Sequence, residues 1–405
     1  MKGKTKKSIT LILSLLLVGH VLLFYALPFN VFVLVLIVFT ILFLFIEWQN
    51  AIMISVSLAI TTFVLNIALN LSGISEEIYY RPHEMFAFSH PDGKYKQNIH
   101  FEMTMPHGDL KALSLYTKVT AEPRNVIFQT DSLGHRNSKD YSGQKYLLVG
   151  DSFIVGNGTT QQDIITSQLF KKYGIDTYNL AYPGGVKEYA NFVKSFKKST
   201  NTKAKVILFL FEGNDFTLNK QRVSTSSYII EKLKRYYTKF NDTGIYRFTY
   251  SSTQRILATK IYRGKERVEV RNIGEIPVAF YKKYIAITEQ NVLPDNLEVG
   301  NYIATFNNDI SHIYFIPTKY RVYYNHLNHE RYKVPDLPNK QWELVQLIGA
   351  KFNIPTTNLT PALVEESDRL LKDGVLTYWI DDTHWNKYGI SVAAEIVKNS
   401  LVSHN

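Results

Sequence analysis

The stretch Ala204 to Phe211, AKVILFLF, is apolar at every position except Lys205. Alternation would mark a strand with one wet face. An unbroken run of this length marks a strand covered on both faces, the habit of parallel sheets flanked by helices. The neighbouring sequence continues the pattern. Lys145 to Val149 is a short apolar run ending at Gly150, Thr160 to Tyr173 has helical spacing, Thr177 to Leu180 is a second strand and Glu188 to Lys198 a second helix. His312 to Ile316 predicts a fourth strand, Lys340 to Phe352 a helix, and Ile390 to Leu401 a closing helix. Strands alternating with helices predict an α/β fold with a parallel sheet and right-handed crossovers. A ligand then sits beyond the carboxyl ends of the strands.

The N-terminal region is of another kind. From Ile9 to about Leu71 almost nothing is charged, and breaks at Leu27 to Asn30 and Glu47 to Asn50 divide the run into apolar blocks of about 9–27, 31–46 and 51–71. Each is close to the ~20 residues a helix needs to cross a bilayer core, so residues 1–74 are expected to form a membrane region of three transmembrane helices. The competing reading is a cleavable signal peptide, because Lys2, Lys4, Lys6 and Lys7 precede the first block. Two further blocks without a small-x-small cleavage site favour retained spans. The N-terminal lysines place that end in the cytoplasm; three spans then put the rest outside, and two would leave it inside. The expectation is a multi-pass protein of the cell membrane with an extracytoplasmic soluble part.

Residues 75–140 are polar and rich in turn residues and read as loops and short strands; 141–405 reads as the α/β domain. Within it, about 217–300 is basic and tyrosine-rich and looks like an insertion, most simply a helical subdomain. The chain carries no cysteine, which excludes disulfides, zinc-thiolate sites and thiol catalysis. Its net charge of +11 is spread over the soluble part without a nucleic-acid motif, which suits a domain near an anionic surface or acidic polymer but is equally a solvated basic face.

Four short motifs fall at strand ends: Gly150-Asp151-Ser152, Asn179 to Gly184, Glu212-Gly213-Asn214-Asp215, and Asp381-Asp382-Thr383-His384 before the last helix. Singly, each has a plain explanation. Ser152 could cap a helix, Asn214 and Asp215 could satisfy a turn, and Asp381, Asp382 or Thr383 could cap the closing helix. Together they supply a reaction centre. A serine hydroxyl needs a base to become a nucleophile, and a histidine oriented by a carboxylate is the usual one. Asp381, three residues before His384, is expected to hold the imidazole from the same turn. The oxyanion needs preorganised donors, here the N–H groups of Ser152 and Gly184 and the Asn214 side-chain amide.

With these residues the sequence resembles the SGNH, or GDSL-type, hydrolase superfamily over about 146–215 and 375–400. GDSFIVGNG resembles the first block, with Gly156 and Gly158 after the serine; NLAYPGG resembles the second, VILFLFEGND the third and DDTHWNKYG the last. Ala181 and Glu212 depart from glycines common at those positions. Upstream, TDSLGHRN (Thr130 to Asn137) resembles the T-N-S-x-G-x-R lead-in of a bacterial branch found with surface-polysaccharide genes, and IPTKYRVY (Ile316 to Tyr323) is similar to the P-x-K-x-x-x-Y segment of alginate-acetyltransferase-like members. The resemblance implies a flavodoxin-like three-layer α/β/α domain, an acyl-serine intermediate, and neither metal nor cofactor. Asp151 and Lys319 are further candidates for substrate contact, and the tyrosines of the insertion (Tyr236, Tyr237, Tyr250) could line a sugar site.

The expected function is therefore a membrane-anchored serine esterase or O-acyltransferase acting on O-acyl, foremost O-acetyl, groups of an extracytoplasmic glycan. An acyl-exporting membrane protein would be its partner if it transfers. The alternatives are a lipid-directed esterase and a tethered glycan-binding module without turnover.

Overall fold

The computed structural model describes residues 48–71, 81–86, 94–114, 116–216, 266–290, 296–327 and 337–402. The described residues form two compact units, helix Trp48–Leu71 by itself and everything from residue 81 onward. That helix runs for 24 residues and matches the third apolar block. The first two blocks, the insertion over 217–265 and with it Tyr236, Tyr237 and Tyr250 lie outside the described residues. Many side chains of Trp48–Leu71 are likewise not described. Over what is described, no helix is long and apolar enough to cross a membrane.

In the larger unit the strands are β1 (His100–Met105), β2 (Arg124–Gln129), β3 (Tyr146–Val149), β4 (Tyr178–Asn179), β5 (Lys205–Phe211), β6 (Val268–Ile273), β7 (Ile276–Tyr281), β8 (Ile310–Ile316) and β9 (Thr356–Asn358). A parallel sheet of five takes the order β4-β3-β5-β8-β9. Counted within the sheet this is 2-1-3-4-5, the flavodoxin-like order, whose switch point lies between β3 and β5.

β5 is buried at every residue after Lys205, as its unbroken apolar run requires. Ile207, Phe209 and Phe211 pack one way, toward helices Ile165–Tyr173 and Lys387–Val402. Val206, Leu208 and Leu210 pack the other way, toward Val186–Thr200 and Lys340–Phe352. Helices thus cover both faces of the sheet, and each fully buried Leu, Ile or Phe contributes about 1.5–3 kcal/mol.

Within the stretch expected to hold loops and short strands, β1 and β2 pair antiparallel, and the β2 backbone donates at Ile127 to Thr160 Oγ1 and at Gln129 to Gln161 Oε1. The described part of the insertion is not helical throughout: helices Lys282–Gln290 and Asn296–Ala304 follow the hairpin β6-β7, whose Ile273, Val278 and Phe280 join the core and whose Ala279 N–H donates to Ile380 O. The alternation Val268-Glu269-Val270-Arg271 ahead of a turn with Gly274 at φ +58° is a hairpin pattern.

Candidate active site

Ser152 opens a helix of four residues directly after β3. Asp151 caps it, its Oδ1 accepting the Phe153 N–H at 2.9 Å. The Ser152 N–H belongs to the first turn, where backbone donors have no intrahelical acceptor. Gly156 closes the helix at φ +84°, and Gly158 follows at φ +74°. Both conformations favour glycine, and at Gly156 a Cβ would stand 2.5 Å from Ile164 Cγ2. The turn is held from behind by Arg136, whose Nη1 donates to Gly156 O at 2.6 Å and Nη2 to Thr159 O at 2.7 Å. Burial pulls this guanidinium down to about 9. Asn137 beside it bridges to β4, donating to Asn179 O at 3.0 Å and accepting from Asn179 N at 2.9 Å. The RN of TDSLGHRN thus ties the serine turn to the neighbouring strand.

Ser152 Oγ lies 2.7 Å from His384 Nε2. His384 Nδ1 lies 2.6 Å from Asp382 Oδ1. Nδ1–H donates to that carboxylate, which leaves the Nε2 lone pair to accept the serine proton. Burial works to lower His384, but Asp382 outweighs it and the imidazole ends above its ordinary 6.5. Burial likewise works against the Asp382 charge, but His384 and Arg124 hold the carboxyl well below the usual range.

The carboxylate on the imidazole is therefore Asp382, two residues before His384, where Asp381 was expected. The expectation put residues 381 and 384 on one turn, but the segment bends so that Asp382, not Asp381, meets the imidazole ahead of the closing helix Lys387–Val402. Asp381 turns away. Its Oδ1 accepts from Arg124 Nη1 at 2.9 Å, and its Oδ2 from Gly108 N at 2.7 Å and Glu122 N at 3.0 Å. Arg124 spans both acids, its Nη2 reaching Asp382 Oδ2 at 2.8 Å.

Asp109, absent from the sequence candidates, is buried beside the pair. Its carboxylate accepts from Thr383 N at 2.7 Å and Thr383 Oγ1 at 2.5 Å, and its N–H donates to Asp382 Oδ2 at 3.1 Å. Burial and the adjacent Asp382 charge push it up to about 6. Lys319 is also buried, and its ammonium donates to the carbonyls of Asp382 at 2.7 Å, Trp379 at 3.0 Å and Ile380 at 3.4 Å. Its three donors thus hold the loop bearing His384 and do not face a substrate. Burial lowers it to about 8. Asp151, the other residue expected to touch substrate, is buried as the helix cap.

Gly184 follows β4 and Asn214 follows β5, both half-buried, so the three oxyanion candidates stand after adjacent strands. Tyr189 OH at 2.8 Å and Phe211 N at 2.7 Å hold the Asp215 carboxylate beside Asn214, and burial raises the Asp151 carboxyl although Asn214 works to lower it. Glu212, where glycine is common, has found a partner. Its Oε1 takes Arg321 Nη2 at 2.6 Å and Nε at 2.8 Å, and its Oε2 takes Thr318 N at 2.9 Å. Asp109, Asp382 and His384 present possible metal-ligand atoms within 4.8 Å of one another, but all four carboxylate oxygens already accept hydrogen bonds.

No curated protein matches the chain. The family model for GDSL-like Lipase/Acylhydrolase matches residues 146–397, more than half of the sequence. That span begins at the strand before Ser152 and runs past His384 into the closing helix. With the fold and the match in agreement, the chain belongs to the GDSL-like lipase/acylhydrolase family and is an ester hydrolase.

Proposed function

We propose that the protein is a membrane-anchored enzyme that removes or transfers O-acyl groups, foremost O-acetyl, on a glycan outside the cytoplasm. The observation that carries the chemistry is the line Ser152–His384–Asp382, with contacts of 2.7 and 2.6 Å. Ser152 Oγ attacks the ester carbonyl as His384 Nε2 takes its proton, and the imidazolium is stabilised by Asp382. The developing oxyanion is met by the N–H groups of Ser152 and Gly184 and by the Asn214 amide. The carbon–oxygen bond to the alcohol breaks, His384 returns the proton to that alcohol, and an acyl-Ser152 ester remains. Water or a sugar hydroxyl, deprotonated at the same Nε2, then attacks this ester and releases the serine. Water gives hydrolysis; the sugar gives transfer, for which an acyl-exporting membrane protein is the expected donor partner.

Support for a glycan comes from the segments similar to polysaccharide enzymes. Arg136 of TDSLGHRN braces the Ser152 turn, and Lys319 of IPTKYRVY braces the His384 loop. Support for an anchor comes from the three apolar blocks before residue 72.

The test incubates the full chain with O-acetylated xylo-oligosaccharides, with and without unacetylated acceptor, following acetate and acetylated product by mass spectrometry. Release or transfer of acetyl, abolished in Ser152→Ala, is expected. Turnover of lysophospholipid but not of acetylated sugar would replace this reading with a lipid-directed esterase, and sugar binding without turnover would replace it with a binding module.

A further inference from the structure

Behind the acid, on the far side of Arg124, lies a cleft of about 460 Å³. Three buried polar atoms of its lining have no hydrogen-bond partner: Arg124 Nε, Trp379 Nε1 and Thr159 Oγ1. Arg124 is 7% exposed and Thr159 2%. Buried donors are nearly always satisfied, so such a group calls for an acceptor from outside the chain, a water or a bound molecule. The donors also converge. A Cβ placed on Gly158 would stand 3.3 Å from Trp379 Nε1 and 3.4 Å from Arg124 Nε. At φ +74° this position favours glycine, and a side chain here would crowd both donors.

The lining selects the kind of acceptor. Arg124 already faces Asp381 and Asp382, and of the remaining charges Glu122 and Asp163 outnumber Lys387. The cleft therefore offers an anion little attraction, while its donors suit ether and hydroxyl oxygens and its carboxylates suit hydroxyl hydrogens. Tyr388 adds a ring that is 37% exposed, and aromatic surface suits the apolar face of a pyranose. The volume falls within the range of small-ligand sites.

We infer that this cleft binds a neutral sugar residue, donated to by Trp379, Thr159 and Arg124 beside Gly158. The inference deepens the glycan reading above and rests on it for the choice of sugar over other polyols. The ligand would touch the same guanidinium that holds the triad acid, so one end of a glycan is sensed one side chain away from His384.

The experiment uses the full chain carrying Ser152→Ala, in a detergent without a sugar headgroup. Calorimetric titrations take cellobiose, maltose, N,N′-diacetylchitobiose and sodium sulfate in turn. At least one disaccharide should bind, and should bind about tenfold more weakly in Trp379→Phe, which keeps an aromatic ring but loses one hydrogen bond. Thr159→Val serves in its place if Trp379→Phe fails to fold. Binding of no disaccharide by a protein that still deacetylates glycan would overturn the inference alone, as would undiminished binding in both variants. Binding of sulfate in place of sugar would overturn it too, as would a high-resolution structure with water alone on the three donors and no sugar binding. Sugar binding by a protein inactive on acetylated glycan would leave the cleft standing and remove the proposed reaction.

Discussion

Replacing each of the two adjacent aspartates by asparagine separates the triad acid from its neighbour. Asp382 Oδ1 accepts from His384 N and Nδ1, and Oδ2 accepts from Asp109 N and Arg124 Nη2. Every position open to an asparagine NH2 therefore faces a donor. With the NH2 toward Arg124, an amide donor faces a buried guanidinium that keeps only Asp381 as its anionic partner, and nothing nearby relieves the clash. With the NH2 toward His384, the conflict is relieved by moving the imidazole proton from Nδ1 to Nε2. The second is cheaper, and it points a proton at Ser152 where a lone pair is needed. Asp382→Asn should lower kcat on the order of ten thousandfold, about 5 kcal/mol of transition-state stabilisation. Asp381→Asn leaves the imidazole untouched but sets its NH2 either against Arg124 or against the N–H groups of Gly108 and Glu122. It should cost about 3–5 kcal/mol of stability while kcat per folded molecule stays within about tenfold of the parent. The assay is p-nitrophenyl acetate hydrolysis beside chemical denaturation of each variant. A collapse of kcat in Asp381→Asn with near-parental kcat in Asp382→Asn would refute the reasoning.

Because His384 must be neutral to accept the serine proton and its pKa is raised by Asp382, kcat/KM should rise with pH and be half-maximal above 6.5; a midpoint below that value would contradict the ion pair. Asp109 has a folded pKa raised from 3.8 to about 6, so the folded state holds its proton more tightly and loses up to ~3 kcal/mol as pH rises through that interval. Asp109→Asn, whose amide can still pair with Thr383, should gain stability relative to the parent between pH 4.5 and 7.5, and a pH-independent gap in melting temperature would exclude this. Glu212→Gln breaks a fully buried pair with Arg321 and should cost about 3–5 kcal/mol in chemical denaturation; a loss below 1 kcal/mol would mean the pair is not formed.

What the sequence made legible follows from how local each signal is. The run at 204–211 specified a central parallel strand by itself, and the order of the four motifs placed Ser152, Asn214 and His384 after strands or before the last helix. The choice between Asp381 and Asp382 was not local. It depends on how the chain bends through 381–384 and on Arg124, which lies 257 residues away in sequence from Asp381. Asp109 sits in MPHGDLKAL, a stretch of ordinary turn composition; nothing in its neighbours signals that the fold carries it to Thr383. Glu212 read as a departure from glycine because its partner Arg321 lies 109 residues on. The β6-β7 hairpin was obscured by the basic, tyrosine-rich composition around it, although its alternation from Val268 to Arg271 was there to be read.

The most direct test of the central claim is to treat the full chain with a fluorophosphonate and map the modified residue by mass spectrometry. One phosphonyl adduct on the peptide containing Ser152, absent from Ser152→Ala and from His384→Ala, is the predicted result. A folded protein that takes up no label, or that is labelled equally in Ser152→Ala, would contradict the assignment of Ser152 as the activated nucleophile.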